Sequence, residues 1–287
     1  MTDDPFVTHR SLLFTVAYEM LGSAADADDV LQESWLRWAG VDQPEVLDPR
    51  AYLVRIVTRQ ALNRLRTVSR RREDYVGEWL PEPLLTSPDI ADDVELAESV
   101  SIAMLTVLET LGPAERVVFV LREVFDTPYE EIAAAIGKSP DAVRQIARRA
   151  RSHVADRRPR MPVSHAEQQA VLERFLVAVR TGRVQELLEV MAPDVVLIAD
   201  GGGVVPAARA PIRGAERVAR LLARASRAQT PVTSGVWLNG SPAGRIEIGG
   251  QMAMVSLVIE DGRLTQIYAM ANPGKLTRLD APAELTR

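Results

Sequence analysis

Apolar residues recur every three or four positions through residues 10–72, and this period predicts three amphipathic helices. The first apolar stripe runs from Leu12 to Leu21 and ends where Gly22 and Ser23 interrupt it. A second helix is predicted to open at Asp26, interpreted as its N-cap, and a third at Asp48-Pro49, with proline in the first helical position. The third helix carries a polar face separate from its apolar face, because four polar residues follow one another at spacings of 4, 4 and 3. They are Arg55, Arg59, Asn63 and Arg66.

A second helical segment is predicted over residues 99–158, and its centre matches a helix-turn-helix. Gly137 follows the first helix of this motif, where a left-handed backbone conformation is favoured. Ser139-Pro140 then supplies an N-cap and a proline for the second helix. Polar side chains on the outer face of the second helix predict DNA contact in the major groove. With the capping serine, they are Ser139, Asp141, Arg144, Gln145, Arg148 and Arg149.

The pattern changes class in residues 166–287. Two helices are predicted over 166–192, followed by a strand at 194–199 and a helix at 214–228. Four strand-like runs then fill residues 232–270, separated by Asn-Gly, Gly-Gly and Asp-Gly dipeptides that are typical of hairpin turns. The predicted architecture is therefore two all-α units followed by an α+β domain.

Two Pro-containing segments without periodicity predict linkers and set the domain boundaries. The net charge of −5 arises in the first of them, residues 73–98, which carry nine acidic and no basic side chains. Arginines cluster elsewhere, as expected of a protein with a polyanionic partner. The predicted segments are a helical unit at 1–72, an acidic linker at 73–98, a helix-turn-helix unit at 99–158, a linker at 159–165 and an α+β domain at 166–287.

Composition narrows the class of protein. The absence of cysteine excludes disulfides and thiolate zinc sites, and no other spacing of metal-binding residues emerges, so no metal and no cofactor are expected. No apolar run approaches the roughly 20 residues that span a bilayer, and the acidic start MTDDPF has no signal-peptide character. These features predict a cytoplasmic protein with no membrane partner.

The order helical unit, acidic linker, helix-turn-helix unit resembles the extracytoplasmic-function sigma factors of the sigma-70 class. The stretch DADDVLQESWLRW (26–38) looks like the region 2 helix that binds the clamp helices of the β′ subunit of core RNA polymerase, and TPYEEIAAAIGKSPDAVRQIARRAR (127–151) looks like region 4.2, which reads the −35 element. The stretch AYLVRIVTRQALNRLR (51–66) is similar to the helix that reads the −10 element, although Arg59 and Asn63 replace the usual Asn and Asp. The polymerase contacts implied by the resemblance are Leu31, Gln32, Trp35 and Leu36, and the β flap is the implied partner of region 4.

The last domain resembles SnoaL-like folds of the NTF2 type, which a subgroup of these sigma factors carries. The marks of that subgroup are present as WLPEPL (79–84), DGGGV (200–204) and NPGKL (272–276); Val204 and Gly274 depart from the usual Lys and Asp. The resemblance implies that the domain regulates the sigma factor. We expect the WLPEPL segment to dock on the two loops. The regulatory residues predicted on this basis are Trp79, Leu80, Pro81, Glu82, Pro83, Asp200, Gly201, Gly202, Gly203, Asn272, Pro273, Lys275 and Leu276.

Two other functions remain open at this stage. A ligand-responsive helix-turn-helix repressor would bind DNA without polymerase, as a dimer, whereas a sigma factor is expected to be a monomer when free. A cyclase- or isomerase-type C-terminal domain would need an acid–base pair, yet residues 166–287 contain no His or Cys, so no catalytic residue is expected. A small ligand in an apolar SnoaL-like pocket is a further expectation.

Overall fold

A computed structural model describes residues 4–73, 75–157 and 164–287, apart from the side chains of 44 and 69–73. The predicted linker at 159–165 therefore falls mostly outside the described residues. The chain divides into two compact units. The first unit comprises the described residues of 1–73 and 104–158, with 284–287. The second comprises the described residues of 74–103 and 159–283.

The predicted helices of residues 10–72 form, preceded by one short helix. Their bounds are α1 (Pro5–Thr8), α2 (Arg10–Leu21), α3 (Ala24–Ala39) and α4 (Pro49–Glu73). The predicted cap Asp26 is wrong, because Ser23 occupies the N-cap and its hydroxyl accepts a hydrogen bond from the Asp26 amide. Asp26 instead lies in the first turn, where its negative charge interacts favourably with the positive end of the helix dipole.

The next helices lie within residues 94–155; the first of them begins at Val94, inside the segment predicted as a linker, and the others fall in the helical segment predicted at 99–158. They are α5 (Val94–Val100), α6 (Ile102–Leu108), α7 (Pro113–Phe119) with a π-helical turn at Val120–Val124, α8 (Tyr129–Ile136) and α9 (Pro140–Ala155). The predicted helix-turn-helix is confirmed as α8 and α9. Gly137 adopts a left-handed conformation with φ 68°, and the Ser139 hydroxyl accepts a hydrogen bond from the Ala142 amide.

The C-terminal domain combines three helices with one six-stranded sheet. Its elements are α10 (His165–Thr181), α11 (Val184–Val190), β1 (Met191–Asp200), β2 (Ile212–Arg213), α12 (Ala215–Ala228), β3 (Val232–Leu238), β4 (Ser241–Ile248), β5 (Gln251–Glu260) and β6 (Arg263–Met270). The strand order is β2-β1-β6-β5-β4-β3, and β1 runs parallel to β6 while the other pairs are antiparallel. This is the predicted α+β domain.

Alternate residues of the strands build two cores, one on each face of the sheet. One face packs against α10, α11 and α12 through residues such as Phe175, Leu197 and Ile267. The other face, which includes Met254 and Met270, is covered by residues of 80–103 and by the chain after β6.

The segment predicted as an acidic linker differs most from expectation. Its described residues belong to the second compact unit, together with residues 99–103 that were assigned to the helix-turn-helix segment. Leu80 and Ile102 are buried on the sheet, and the backbone at Leu85 bridges Leu238 of the edge strand β3. The sequence pattern did not predict that the whole segment belongs to the second unit, because the apolar residues between its acidic side chains lack a regular period.

Candidate nucleic-acid interface and linker-docking site

The outer face of α9 places the predicted −35 residues together. Gln145, Arg148 and Arg149 are exposed on it, and Arg149 also lies 3.5 Å (Nε to Oε1) from Glu115. Arg144 is less available, because its Nη1 lies 2.7 Å from Asp141 Oδ1 and its Nη2 lies 2.9 Å from Glu130 Oε1. The face therefore presents Arg148 and Arg149 as cations, while Arg144 is held by two carboxylates.

The predicted −10 residues form one face of α4, but they are not equally free. Arg59 donates from Nε to the carbonyl of Ala135 (3.1 Å) and from Nη2 to that of Ala134 (2.8 Å). The guanidinium of Arg55 lies 4.9 Å from the ring centre of Tyr52. Asn63 and Arg66 are exposed, and Arg66 donates a long hydrogen bond of 3.5 Å to Asn63.

Three of the four predicted polymerase contacts lie on the surface of α3. Gln32 is exposed, Trp35 is 44% exposed and Leu36 is 61% exposed. Leu31 is buried in the core, so its side chain does not extend the surface formed by the other three. The second tryptophan of α3, Trp38, is fully buried and donates from Nε1 to Asp4.

The residues 75–86, with Asp200, Asn239, Asn272 and Lys275, form what we call the linker-docking site. Asp200 is fully buried and accepts four hydrogen bonds. Its Oδ1 accepts from the Tyr75 hydroxyl (2.6 Å) and the Gly202 amide (3.0 Å), and its Oδ2 accepts from the Leu80 amide (3.0 Å) and Lys275 Nζ (2.7 Å). One carboxylate thus joins the linker to both loops.

Lys275 is the second buried charge of this site. Its Nζ donates to the carbonyl of Leu80 (2.6 Å) and lies 3.2 Å from the centre of a Trp79 ring, which adds a cation–π contact. Burial, and then the charge and hydrogen bond of Asp200, raise the pKa of Tyr75. The phenol therefore stays protonated as a donor to Asp200 at neutral pH.

Every segment of the predicted regulatory set lies in this site. Pro81, Glu82 and Pro83 are buried after Leu80, and the Asn272 side chain donates to Tyr75 (2.7 Å) and accepts from the Gly274 amide. Gly202 adopts φ 63°, and a Cβ on it would collide with Asn272. The glycine thus permits the close approach of the two loops that the sequence placed together.

The sequence analysis missed Asn239, which it assigned only to a hairpin turn. Asn239 is buried and accepts from the Leu84 amide (2.9 Å) while donating to the Val100 carbonyl (2.8 Å). Its Asn-Gly signal predicts the turn, which has φ 51° and 73°. No local signal predicts that the same side chain binds Leu84 of the linker and Val100 at the end of α5, both more than 130 positions away.

Other chemistry was sought across the described ranges. No group of three or more His, Cys, Asp or Glu side chains is arranged to hold a metal ion among the residues that the structure describes. None of the described helices is long and apolar enough to cross a membrane.

Comparison with known proteins identifies the class. Sequence models of the family sigma-70 region 2 match residues 6–71, and those of sigma-70 region 4 match residues 101–154. The chain is 35% identical to the ECF RNA polymerase sigma factor SigJ of Mycobacterium tuberculosis, over 95% of this chain and 92% of that protein. It is 34% identical to the probable ECF sigma factor SigI of the same species, over 95% and 94%.

The chain therefore belongs to the ECF RNA polymerase sigma factors, which bind core polymerase and promoter DNA and initiate transcription. The solved structure of M. tuberculosis SigJ superimposes with a TM-score of 0.79 at 31% identity, covering 96% of this chain and 98% of SigJ. This family assignment selects a sigma factor over the alternative of a helix-turn-helix repressor.

Proposed function

We propose that this sigma factor reads the −35 element with α9 and the −10 element with α4, and that its C-terminal domain controls both by binding the linker. The observation that carries the control is the buried pair Asp200–Lys275, which binds the backbone of Leu80 on both its amide and its carbonyl side. A segment held by buried charges on both sides leaves its site only in a cooperative step.

Control follows from two exclusive uses of the linker. We propose that on polymerase residues 73–98 lie extended in the positively charged RNA exit path, with their carboxylates in place of nucleic-acid phosphates. In the docked form Leu80 and Leu84 are buried in the second unit, and Thr86 donates from its amide to the Trp237 carbonyl (3.1 Å). The linker cannot satisfy both arrangements, so docking competes with the polymerase-bound form.

Polymerase contacts are assigned to the exposed surface of α3. Gln32, Trp35 and Leu36 supply a partly apolar patch of the kind that a helical partner covers, and the β′ clamp helices are the proposed partner. The β flap is the proposed partner of region 4. Because core polymerase acts in the cytoplasm, the protein is proposed to act there.

The C-terminal domain is proposed to be non-catalytic. Its buried carboxylate Asp200 already accepts four hydrogen bonds from the chain itself, and Asp194 is exposed. The sheet carries a hydrophobic core on each face. These features support control by the linker over catalysis.

Run-off transcription by the full chain with core polymerase tests the control. On a template carrying the upstream region of its own gene, we expect Trp79→Ala to change the yield of the specific transcript several-fold, because the substitution removes the ring over Lys275. Val232→Ala, at an exposed apolar position of β3 in the same unit and outside the linker, is the control. Equal yields from wild type and Trp79→Ala, with unchanged hydrodynamic radius, would contradict control by the linker.

The −35 assignment makes a separate prediction for α9. Arg148→Ala in the holoenzyme is expected to weaken promoter binding by about 1–3 kcal/mol and to relax preference at one base pair, as removal of an arginine from a guanine edge does. Binding is measured on templates with single −35 substitutions, and Arg157→Ala removes an equal charge beyond the end of α9 as control. An equal loss on every template would reassign Arg148 to a phosphate.

A further inference from the structure

Two helices in the first unit end in the same way, and each leaves carbonyl groups for a partner. α2 ends at Gly22 with φ 67°, and α8 ends at Gly137 with φ 68°. The glycine amide in each case returns to one carbonyl, that of Tyr18 or Ala133. The remaining carbonyls of a last turn lack partners within the helix and carry the negative end of the helix dipole, so they attract cations.

Region 2 supplies the cation for the region 4 helix. Arg59 on α4 donates to the carbonyls of Ala134 and Ala135, in the last turn of α8, at 2.8 and 3.1 Å. These bonds join positions 75 and 76 residues apart. Arg59 lies on the face of α4 to which DNA contact is assigned, and while it binds α8 these donors are not available to DNA.

Region 4 supplies the cation for the region 2 helix. Arg116 on α7 donates from Nε and Nη2 to the carbonyl of Glu19 (both 3.1 Å), in the last turn of α2, and its Nη1 pairs with Glu109 at 2.6 Å. Arg116 is 1% exposed. A Cβ on Gly22 would lie 2.6 Å from Glu109 Oε1, so the glycine is needed for this approach.

The surface between α4 and α8 is only partly packed. A cavity of about 380 Å³ remains there, lined by residues of both helices that include Tyr52 and Ile132. The Thr58 hydroxyl, which also lines this cavity, is buried and has no hydrogen-bond partner among the described residues. A cavity and an unsatisfied hydroxyl weaken this contact, so the arginine bonds matter more to it than the apolar packing does.

We propose that Arg59 is a latch that holds region 4 on the −10 helix in the free protein and moves to a DNA phosphate at the promoter. The inference rests on the proposed role of the α4 face at the −10 element. The exchange is favourable because hydrogen bonds from a guanidinium to a charged phosphate are stronger than those to neutral carbonyls. Arg116 is the buried anchor of the closed form, and Arg59 is the exposed element that DNA can compete for.

The latch can be tested on the free full-length chain with spin labels or fluorophores. The sequence has no cysteine, so Ala39→Cys and Ser152→Cys, both at exposed positions of the first unit, give two unique labelling sites. We expect one narrow distance distribution for this doubly labelled parent. Adding Arg59→Ala is expected to raise a separate long-distance population about thirtyfold, the factor that corresponds to loss of two hydrogen bonds.

Arg66→Ala is the matched control, because it removes the same charge from the same face of α4 without a contact to α8. We expect it to leave the distance distribution narrow. If Arg59→Ala also leaves the distribution unchanged, the latch does not exist. This readout uses no DNA, so its outcome is independent of the proposed promoter contacts.

The second arm tests the exchange with the holoenzyme. Loss of one phosphate contact is expected to reduce the slope of log binding constant against log salt by about 1 for Arg59→Ala. An opened free protein whose salt slope equals that of wild type would overturn both the exchange and the assignment of Arg59 to the −10 element. Opening together with the reduced slope supports the latch.

Discussion

Lys275→Met is expected to destabilise the second unit by about 3–5 kcal/mol, one of the two largest effects predicted for a single side chain here. The substitution keeps most of the side-chain volume but leaves the fully buried carboxylate of Asp200 without its cation. An uncompensated buried charge costs far more than an exposed one, because water cannot solvate it. The carbonyl of Leu80 also loses its donor.

Chemical denaturation monitored by tryptophan fluorescence measures this effect. Trp79 and Trp237 lie in the second unit, whereas Trp35 and Trp38 lie in the first, so single-tryptophan variants separate the two transitions. Asp200→Asn combined with Lys275→Met completes a double-mutant cycle. If the double variant loses the sum of the two single losses, the two side chains are not coupled and the prediction fails.

Release of the linker should accompany the lost stability. Because Lys275 binds the Leu80 carbonyl directly, Lys275→Met is expected to expose residues 80–86 to amide hydrogen exchange before the sheet unfolds. Unchanged protection of the Leu80 and Leu84 amides would mean that Lys275 stabilises the domain but does not hold the linker on it.

Arg116→Met is expected to destabilise the first unit by a similar amount, about 3–5 kcal/mol. Burial lowers the pKa of Arg116 to about 9, so the guanidinium remains charged at neutral pH and needs its partners. Removing it takes a buried cation from Glu109 and two hydrogen-bond donors from the Glu19 carbonyl.

Arg10→Met is the control for the first unit. Arg10, whose side chain is 61% exposed, pairs with Asp28 at 3.6 Å, and exposed pairs contribute at most about 1 kcal/mol. Urea unfolding of the first unit is expected to separate the two variants clearly. Equal losses would mean that the burial of Arg116 contributes nothing beyond an ordinary surface pair.

The local elements of this protein could be predicted because each depends on residues close in sequence. The spacing of apolar residues predicts α2, α3 and α4, and the Gly137 and Ser139-Pro140 signals predict the turn between α8 and α9. The hairpin dipeptides predict the turns that separate β3, β4, β5 and β6, because a turn needs particular backbone angles. The fold class followed from these elements.

Part of the candidate site was also accessible from sequence. The motifs at 79–84, 200–204 and 272–276 predicted that these three segments meet, and the Asp200, Leu80 and Lys275 contacts bring them together. The chemistry of the contact was not predicted, since no local pattern indicates that Lys275 is buried under Trp79. A buried ion pair depends on the desolvation of both partners, which the neighbouring sequence does not specify.

The sequence alone determined which segments of this chain are helices, strands and turns, and that it is a two-region sigma factor with a further α+β domain. Only the tertiary structure decided that Trp38 is buried while Trp35 is exposed, that the acidic segment completes the second unit, and that Arg59 binds the end of α8. The physical reason is range: helix periods and caps act within about four residues, whereas these contacts join positions from tens to more than a hundred residues apart. Whether a given apolar or charged side chain is buried depends on which distant segment of the chain packs against it.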